Sequence, residues 1–437
     1  MQDLKRKDKM AITSKAWIRD LVEETPLIDT HEHLVEEPRR FSGVIDTMFR
    51  CDDWPLLFRD YVLEDLHSAG MSTVEEEQFY DPDLSSVDKF SVISPYWERI
   101  RHTGYAQALS ITFRELYGIA SLSSNTVEEL ADKYHQVKKP GFYNYVLKDV
   151  CRISECHVHS VERIFMETAQ PALLKQDLSI MELTRCSLTD IRRVEEEMGL
   201  TISSFDDWLK TIDTYFERFG TKAVAVKYQG AYYRGLRFAH VERHVAEKQF
   251  KTLIAPRPYL GPEGAQALED YLFHYCMKKA QDFKLPVKLH TGYYAAKSNM
   301  PLVRIRDNAV DVCRLLEDYP GINFVLMHIG YPYQDEYIAL CKQYSNAYVD
   351  LCWAWIINPV ACVRFLAEFL MAVPANKVLI FGGDYIAVEN VVGHAAIARA
   401  GLTETISSLV ERGWLGAENV PELLDRLMRR NAHELFR

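Results

Sequence analysis

Six short apolar runs recur through the chain, and each gives way to a loop and then to a stretch with helical spacing. They are VERIFME (161–167), KAVAVKYQG (222–230), LPVKLHTG (285–292), INFVLMHIG (322–330), AYVDLCW (347–353) and KVLIFGGD (377–384). Amphipathic segments such as EGAQALEDYLFHYCMKKAQDF and NAVDVCRLLEDY lie between them. Strands alternating with helices of these lengths build a parallel α/β sheet, and eight such units close a barrel. LIDTHEH, after Pro26, supplies a seventh strand, and the eighth is expected between 165 and 200. The expected fold is therefore an α/β, (β/α)8 TIM barrel.

Residues 11–25 read as a leading helix with Trp17, Ile18, Leu21 and Val22 on one side. From about 40 to 150 the pattern is different: aromatic-rich, helical and poor in β-branched runs, as in DWPLLFRDYVLEDLHSAGM and YWERIRHTGYAQALSITFRELYGI. We expect a single domain over 1–437 in which 40–150 is a helical insertion after strand 1, serving as a lid or side wall. A chain of 437 residues, 48% of them hydrophobic, has enough apolar surface for a large barrel core.

The same composition narrows the partners. The richest apolar stretch, VRFLAEFLMAV, carries Arg364 and Glu368, and the polar N-terminus has no hydrophobic signal core, so a soluble cytoplasmic protein is expected. Nine scattered cysteines without a CxxC pair suit reduced thiols. A net charge of −11 argues against nucleic acid and anionic membranes and leaves a small-molecule substrate as the expected partner. A homo-oligomer is compatible with everything here.

In a barrel of this kind the active site lies where the strands end. The residues at those ends are His31, His33, Lys227, His290, His328 and Asp384. His31 and His33 are two apart on a strand and so share a face, roughly 7 Å apart at their Cα atoms. Imidazoles and a carboxylate make a divalent-metal site, and a catalytic one keeps a position open. His31, His33, His290 and Asp384 are the expected ligands of one ion, zinc first, with manganese or iron as alternatives. A second His-x-His, His157 and His159 in CHVH, precedes its apolar run instead of ending one, which would put it at the wrong face of the barrel. After Lys227, AYYRGLRF adds Tyr232, Tyr233, Arg234 and Arg237, a pattern that suits anion recognition.

DTHEHL, KLHTG, VLMHIGYP, IFGGD and the terminal RRNAHELF together resemble the amidohydrolase superfamily, in particular its mononuclear hydrolases and decarboxylases, from about residue 26 onward. The resemblance implies metal positions at His31, His33, His290 and Asp384, with His328 beside the attacking water or the substrate. DWPLLFRDYVLEDLHSAGMS, FRELYGI and DLCWAWIINP are similar to segments of uronate isomerases, which share the barrel. Those enzymes carry an arginine shortly after the strand-8 aspartate; GGDYIAV has none, and His328 stands where they lack a histidine. Some superfamily members carboxylate a strand-4 lysine to bridge two ions, so Lys227 has two expected roles, holding a substrate carboxylate or bridging.

The function these features suggest is metal-dependent hydrolysis of a small polar, carboxylate-bearing substrate. Asp384 serves as ligand and base, and His328 donates to the oxygen that gains charge. Lys227, Tyr232, Arg234 and Trp355 are expected to bind substrate, with Trp54, Tyr96, Trp97, Trp353 and Trp355 as a candidate aromatic roof. A sugar-acid isomerase, a decarboxylase and a non-catalytic scaffold barrel are the alternatives.

Overall fold

The computed structural model describes residues 14–295 and 299–436. The start of the expected leading helix, 11–13, lies outside these, as does most of the N-terminal segment in which a signal core was sought; the helix itself runs Lys15–Glu24, with Ile18 and Val22 buried.

Among the described residues nine short strands, all paired in parallel, make up the sheet. β1 is Leu27–Glu32, β2 Ile153–Val158, β3 Leu174–Gln176, β4 Leu178–Ser179, β5 Val226–Tyr228, β6 Val287–Leu289, β7 Phe324–Met327, β8 Ala347–Asp350 and β9 Val378–Leu379. β1, β2 and β3 pair in that order, and β4 to β9 pair in sequence. β3 and β4 are one passage split at Asp177, whose N–H donates to Val158 while that of Leu178 donates to Ala225, at 2.9 and 2.8 Å. That leaves eight passages. The N–H groups of Thr30 and Asp384 donate to Phe381 and His31, both at 2.9 Å, so the segment after β9 pairs with β1 and the barrel closes. Burial of nearly every strand residue on both faces follows from this closure and accounts for the apolar runs that announce the strands.

One of the seven named strands is in error. VERIFME is not a strand: residues 161–167 form an irregular loop, and the second passage is instead ISECHV at 153–158. Its interior positions are polar because they answer other buried polar groups, so the stretch does not read as an apolar run.

Between β1 and β2 the described chain holds helices and connecting loops and no strand, from Glu37–Arg40 to the turn at Tyr145–Val150. The longest of these helices, Ser86–Ile100 and Gly104–Tyr117, start behind Ser85 and Thr103, whose side chains accept from the backbone N–H three residues on. Gly104–Tyr117 lies against the helix Val391–Glu411 that follows the barrel. At Gly393 a Cβ would sit 1.7 Å from the Ala108 carbonyl, so only glycine permits that approach. All nine cysteines are free thiols, and no helix among the described residues is long and apolar enough to cross a membrane.

Candidate metal centre

At the C-terminal rim of the barrel, polar side chains from several strands turn inward onto Asp384. The glycines before it make this possible: a Cβ on Gly383 would lie 1.9 Å from Glu32 Oε1, so only a bare backbone fits against β1 there. His31 Nε2 stands 2.9 Å and His33 Nε2 3.2 Å from the same oxygen, Asp384 Oδ1. Burial opposes ionisation of Asp384, but His31, His33 and His328 outweigh it and hold the carboxyl well below its usual range. Burial, with Lys227 nearby, keeps the His31 imidazole far below its ordinary value, hence neutral.

The proton positions follow from the hydrogen bonds. His33 Nδ1 lies 2.9 Å from the His159 carbonyl, which can only accept, so Nδ1 carries the proton. Its Nε2 is then a bare lone pair facing a carboxylate oxygen, with the Gln229 amide 3.4 Å away as a long donor. Two acceptors turned toward each other repel unless a cation lies between them. A main-chain carbonyl fixing the far nitrogen of a histidine is also how metal-binding imidazoles are held. His31, His33 and Asp384, whose donor atoms all lie within 4.8 Å of one another, therefore fit a divalent ion.

His290 is not brought into that group among the described residues. Its Nε2–H donates to the Tyr293 carbonyl at 2.9 Å, so its Nδ1 is bare and accepts from His328 Nε2 at 3.1 Å. This chain of bonds leaves His328 with its N–H turned to His290 and its Nδ1 buried without a partner. The donor role expected of His328 toward a charged oxygen is thus taken up by His290 in this arrangement. His328, Cys352 and Asp384 form a second group whose ligand atoms lie within 4.8 Å of one another.

Lys227 ends at the floor of the site, with no accessible surface. Its Nζ faces Met327 Sδ and lies 3.5 Å from His31 Nε2, and no ion pair to a carboxylate is found for it among the described residues. Burial pushes its ammonium down to about 8.

His159 corrects the sequence expectation. Because β2 is Ile153–Val158, His159 follows the strand's C-terminal end and stands on the same rim as His33, with ring centroids 5.2 Å apart. It is 4% exposed and neither ring nitrogen has a partner. His157 lies deeper, inside the barrel, where its Nδ1 meets Lys288 and its Nε2 meets Glu155, at 3.4 Å each. The available signal was the His-x-His itself; what hid it was the displaced second strand. Cys352 had no such signal, since only its place after β8 marks it.

The remaining expected substrate residues divide. Tyr232 lies at the rim, its ring 4.3 Å from that of His290. Arg234 is withdrawn: its guanidinium pairs with Glu269 at 3.1 Å and with Asp270, over the Phe238 ring. Trp355 is fully buried in the barrel wall, its indole N–H on the Ile380 carbonyl at 2.7 Å. Trp54 and Trp97 belong to the insertion's own core around Phe58, and Tyr96 bonds Glu75. Trp353 does reach the site, edge-on to His328 at 5.5 Å and stacked on Tyr61 of the insertion at 4.8 Å. Tyr61 in turn donates to the Asp384 main-chain carbonyl.

Comparison with known proteins agrees with this architecture. A uronate isomerase from Thermotoga maritima superposes with a TM-score of 0.78 at 14% identity, covering 98% of this chain and 99% of that one. A glucuronate isomerase from Caulobacter crescentus gives 0.76 at 14% identity, over 97% and 93%. A putative metal-dependent hydrolase from Lactobacillus casei gives 0.66 at 16% identity, over 96% and 97%. At these identities the likeness establishes the fold. A curated relative, Protein fluG of Emericella nidulans, is 33% identical over 95 residues, so the match spans 22% of this chain and only a tenth of that protein's length. The family described as Amidohydrolase matches residues 155–437, more than half of the chain, and the chain belongs to that family.

Proposed function

We propose that this chain is a metal-dependent hydrolase of a small polar substrate, with His31, His33 and Asp384 holding the ion. The observation that carries the proposal is the bare His33 Nε2 facing Asp384 Oδ1 at 3.2 Å, an arrangement that a cation between them relieves. When bound, a divalent ion, zinc first on the donor set, supplies Lewis acidity and lowers the pKa of a water toward about 7.

The chain's own groups supply the rest. Asp384, held ionised, takes the proton of the attacking water on its carboxylate and passes it to the leaving group. Lys227, an unpaired ammonium beside His31, binds the substrate oxygen that gains charge or a substrate carboxylate, and His159 offers a second hydrogen-bonding edge. Trp353, Tyr232 and Tyr293 wall the site and exclude water, and the insertion over 40–150 closes it from the side through Tyr61. Arg234 and Trp355 serve this site only indirectly, since one is tied into ion pairs and the other into the barrel wall.

A sugar-acid isomerase is the second candidate, favoured by the near-complete coverage of two uronate isomerases, insertion included. Against it stands Arg234, whose guanidinium is tied up by Glu269 and Asp270 and is not offered to a uronate carboxylate.

Elemental analysis of protein purified without chelator tests the metal. We expect at least one zinc-class ion per chain, lost in a His31→Ala/His33→Ala variant; no ion, even after reconstitution, overturns the proposal. Assays of N-acyl, lactone and ester carboxylates beside hexuronates, run in H2(18)O, then separate the candidates. Oxygen-18 entering the product supports hydrolysis. Turnover confined to hexuronates, with proton exchange at carbon, supports the isomerase instead.

A further inference from the structure

Three neighbouring barrel passages end in the same unusual way. His328, after β7, has φ 60°; Cys352, after β8, has φ 40°; Asp384, after β9, has φ 64°. Left-handed backbone costs a non-glycine residue roughly 1–3 kcal/mol, and it persists where the surroundings force it. Only seven described non-glycine residues adopt positive φ, and these three are the ones whose ligand atoms converge within 4.8 Å. The conformations are pinned from outside. The Cys352 N–H donates to Asp350 Oδ1 at 3.0 Å, its carbonyl meets His394 Nε2 at 3.2 Å, and the Asp384 N–H donates to His31.

We propose that His328, Cys352 and Asp384 form a second cation site with a thiolate ligand, selective for zinc, cobalt and similar thiophilic ions, and that Asp384 bridges it to the His31–His33 site.

Four observations support the assignment. The two carboxylate oxygens face different ways: Oδ1 toward His31 and His33, Oδ2 toward His328 Nε2 at 3.8 Å. His328 Nδ1 is buried without a partner, so the ring can hold its proton there and turn the lone pair of Nε2, the nitrogen that faces Oδ2, to an ion in place of the contact with His290. The Cys352 sulfur is fully buried and lies within 4.8 Å of the ligand atoms of both His328 and Asp384. Gly382 makes the room, since a Cβ there would lie 2.8 Å from that sulfur.

Sulfur, imidazole and carboxylate suit zinc or cobalt and exclude magnesium and calcium as good occupants. Binding releases the thiol proton to solvent, leaving the sulfur as the donor. Each carboxylate oxygen has two lone pairs, so Asp384 can serve both ions and still accept a proton. A bridging carboxylate between two close ions is the geometry of two-metal hydrolytic sites. The inference shares Asp384 with the proposed metal centre and in that respect rests on it.

The test strips the full-length protein with a chelator and adds cobalt(II) alone. Bound cobalt per chain, the near-ultraviolet thiolate-to-cobalt absorption and cobalt-edge X-ray absorption are then read together. We expect two cobalt ions, a thiolate band that grows with one of them, and a sulfur neighbour at about 2.3 Å. Cys352→Ser should lose the band and one ion, and Cys352→Asp should regain the ion without the band. One ion with no sulfur neighbour overturns the second site and leaves the first standing, whereas no cobalt at all overturns both. Two ions without sulfur, or a band that survives in Cys352→Ser, also overturn it. If the variants fail to fold, judged by far-ultraviolet circular dichroism, the wild-type stoichiometry and sulfur scattering decide alone.

Discussion

Lys227 and Lys288 are register partners on adjacent strands, β5 and β6, and neither has any accessible surface. Their surroundings are opposite. Lys288 is saturated: its Nζ donates to both oxygens of Asp177 at 2.9 Å and to the Thr30 carbonyl at 2.8 Å, with His157 at 3.4 Å. Lys227 has a thioether and an imidazole. The second His-x-His pair repeats the contrast, for His157 is bonded at both nitrogens and His159 at neither. Buried polar groups are nearly always satisfied, so the unsatisfied member of each pair marks where a ligand is expected. In both pairs the saturated member lies deep in the barrel, and the unsatisfied one lies beside the metal centre.

The sharpest way to break that division is to remove each cation in turn. Lys288→Met leaves Asp177 as an uncompensated buried carboxylate, which costs about 3–5 kcal/mol. Urea or thermal unfolding should show this loss, while the activity of the remaining folded protein changes little. Lys227→Met leaves no such orphan. Its stability should match or exceed the parent's, while kcat/KM falls about 100-fold, close to 3 kcal/mol of transition-state stabilisation. Equal stability losses in the two variants would show that both lysines are structural.

That division was only partly legible in the amino-acid order. β1 and β5 to β9 announced themselves because their buried polar residues are set among enough apolar ones to read as runs, and five of the six runs brought in a site residue: His31, Lys227, His290, His328, Asp384. β2 failed because its interior carries His157, placed to meet Lys288 from three strands away in sequence and Glu155 on its own strand. A periodicity argument sees polarity there and cannot see the partner that justifies burying it. The displaced strand then carried His159 to the wrong end. Arg234 failed for a related reason: the acids that claim it, Glu269 and Asp270, lie two helices on, in Pro262–Asp282, beyond the reach of a local pattern. Trp355 sits two residues past Trp353, and only the turn after β8 sends one to the rim and the other into the wall.

The saturated histidine gives a pH test. Burial, aided by Lys288, pushes His157 from 6.5 down to about 4 in the fold. Between those values the unfolded chain binds a proton that the folded one refuses, so this stabilising contribution is complete above pH 6.5 and is lost as the pH falls toward 4. From pH 7 to pH 5 the loss attributable to His157 is about 2 kcal/mol. His157→Gln should flatten the decline of unfolding free energy by that amount over the same window. An unchanged slope would mean that His157 titrates normally, and the saturated pair would lose one of its members.

The smallest effect is the most specific. The group that fixes the His33 tautomer is the main-chain carbonyl of residue 159, not its imidazole. His159→Leu therefore removes two unsatisfied ring nitrogens and preserves the bond that prepares His33 for an ion. Deleting buried groups without partners should raise stability, by about 1 kcal/mol. Metal content should stay unchanged, and kcat/KM should fall about tenfold, the equivalent of roughly 1.4 kcal/mol in the transition state. Loss of metal in this variant would make His159 a ligand and enlarge the centre. Loss of stability would mean that its ring is packed as tightly as that of His157, and the deficit at the rim would then rest on Lys227 alone.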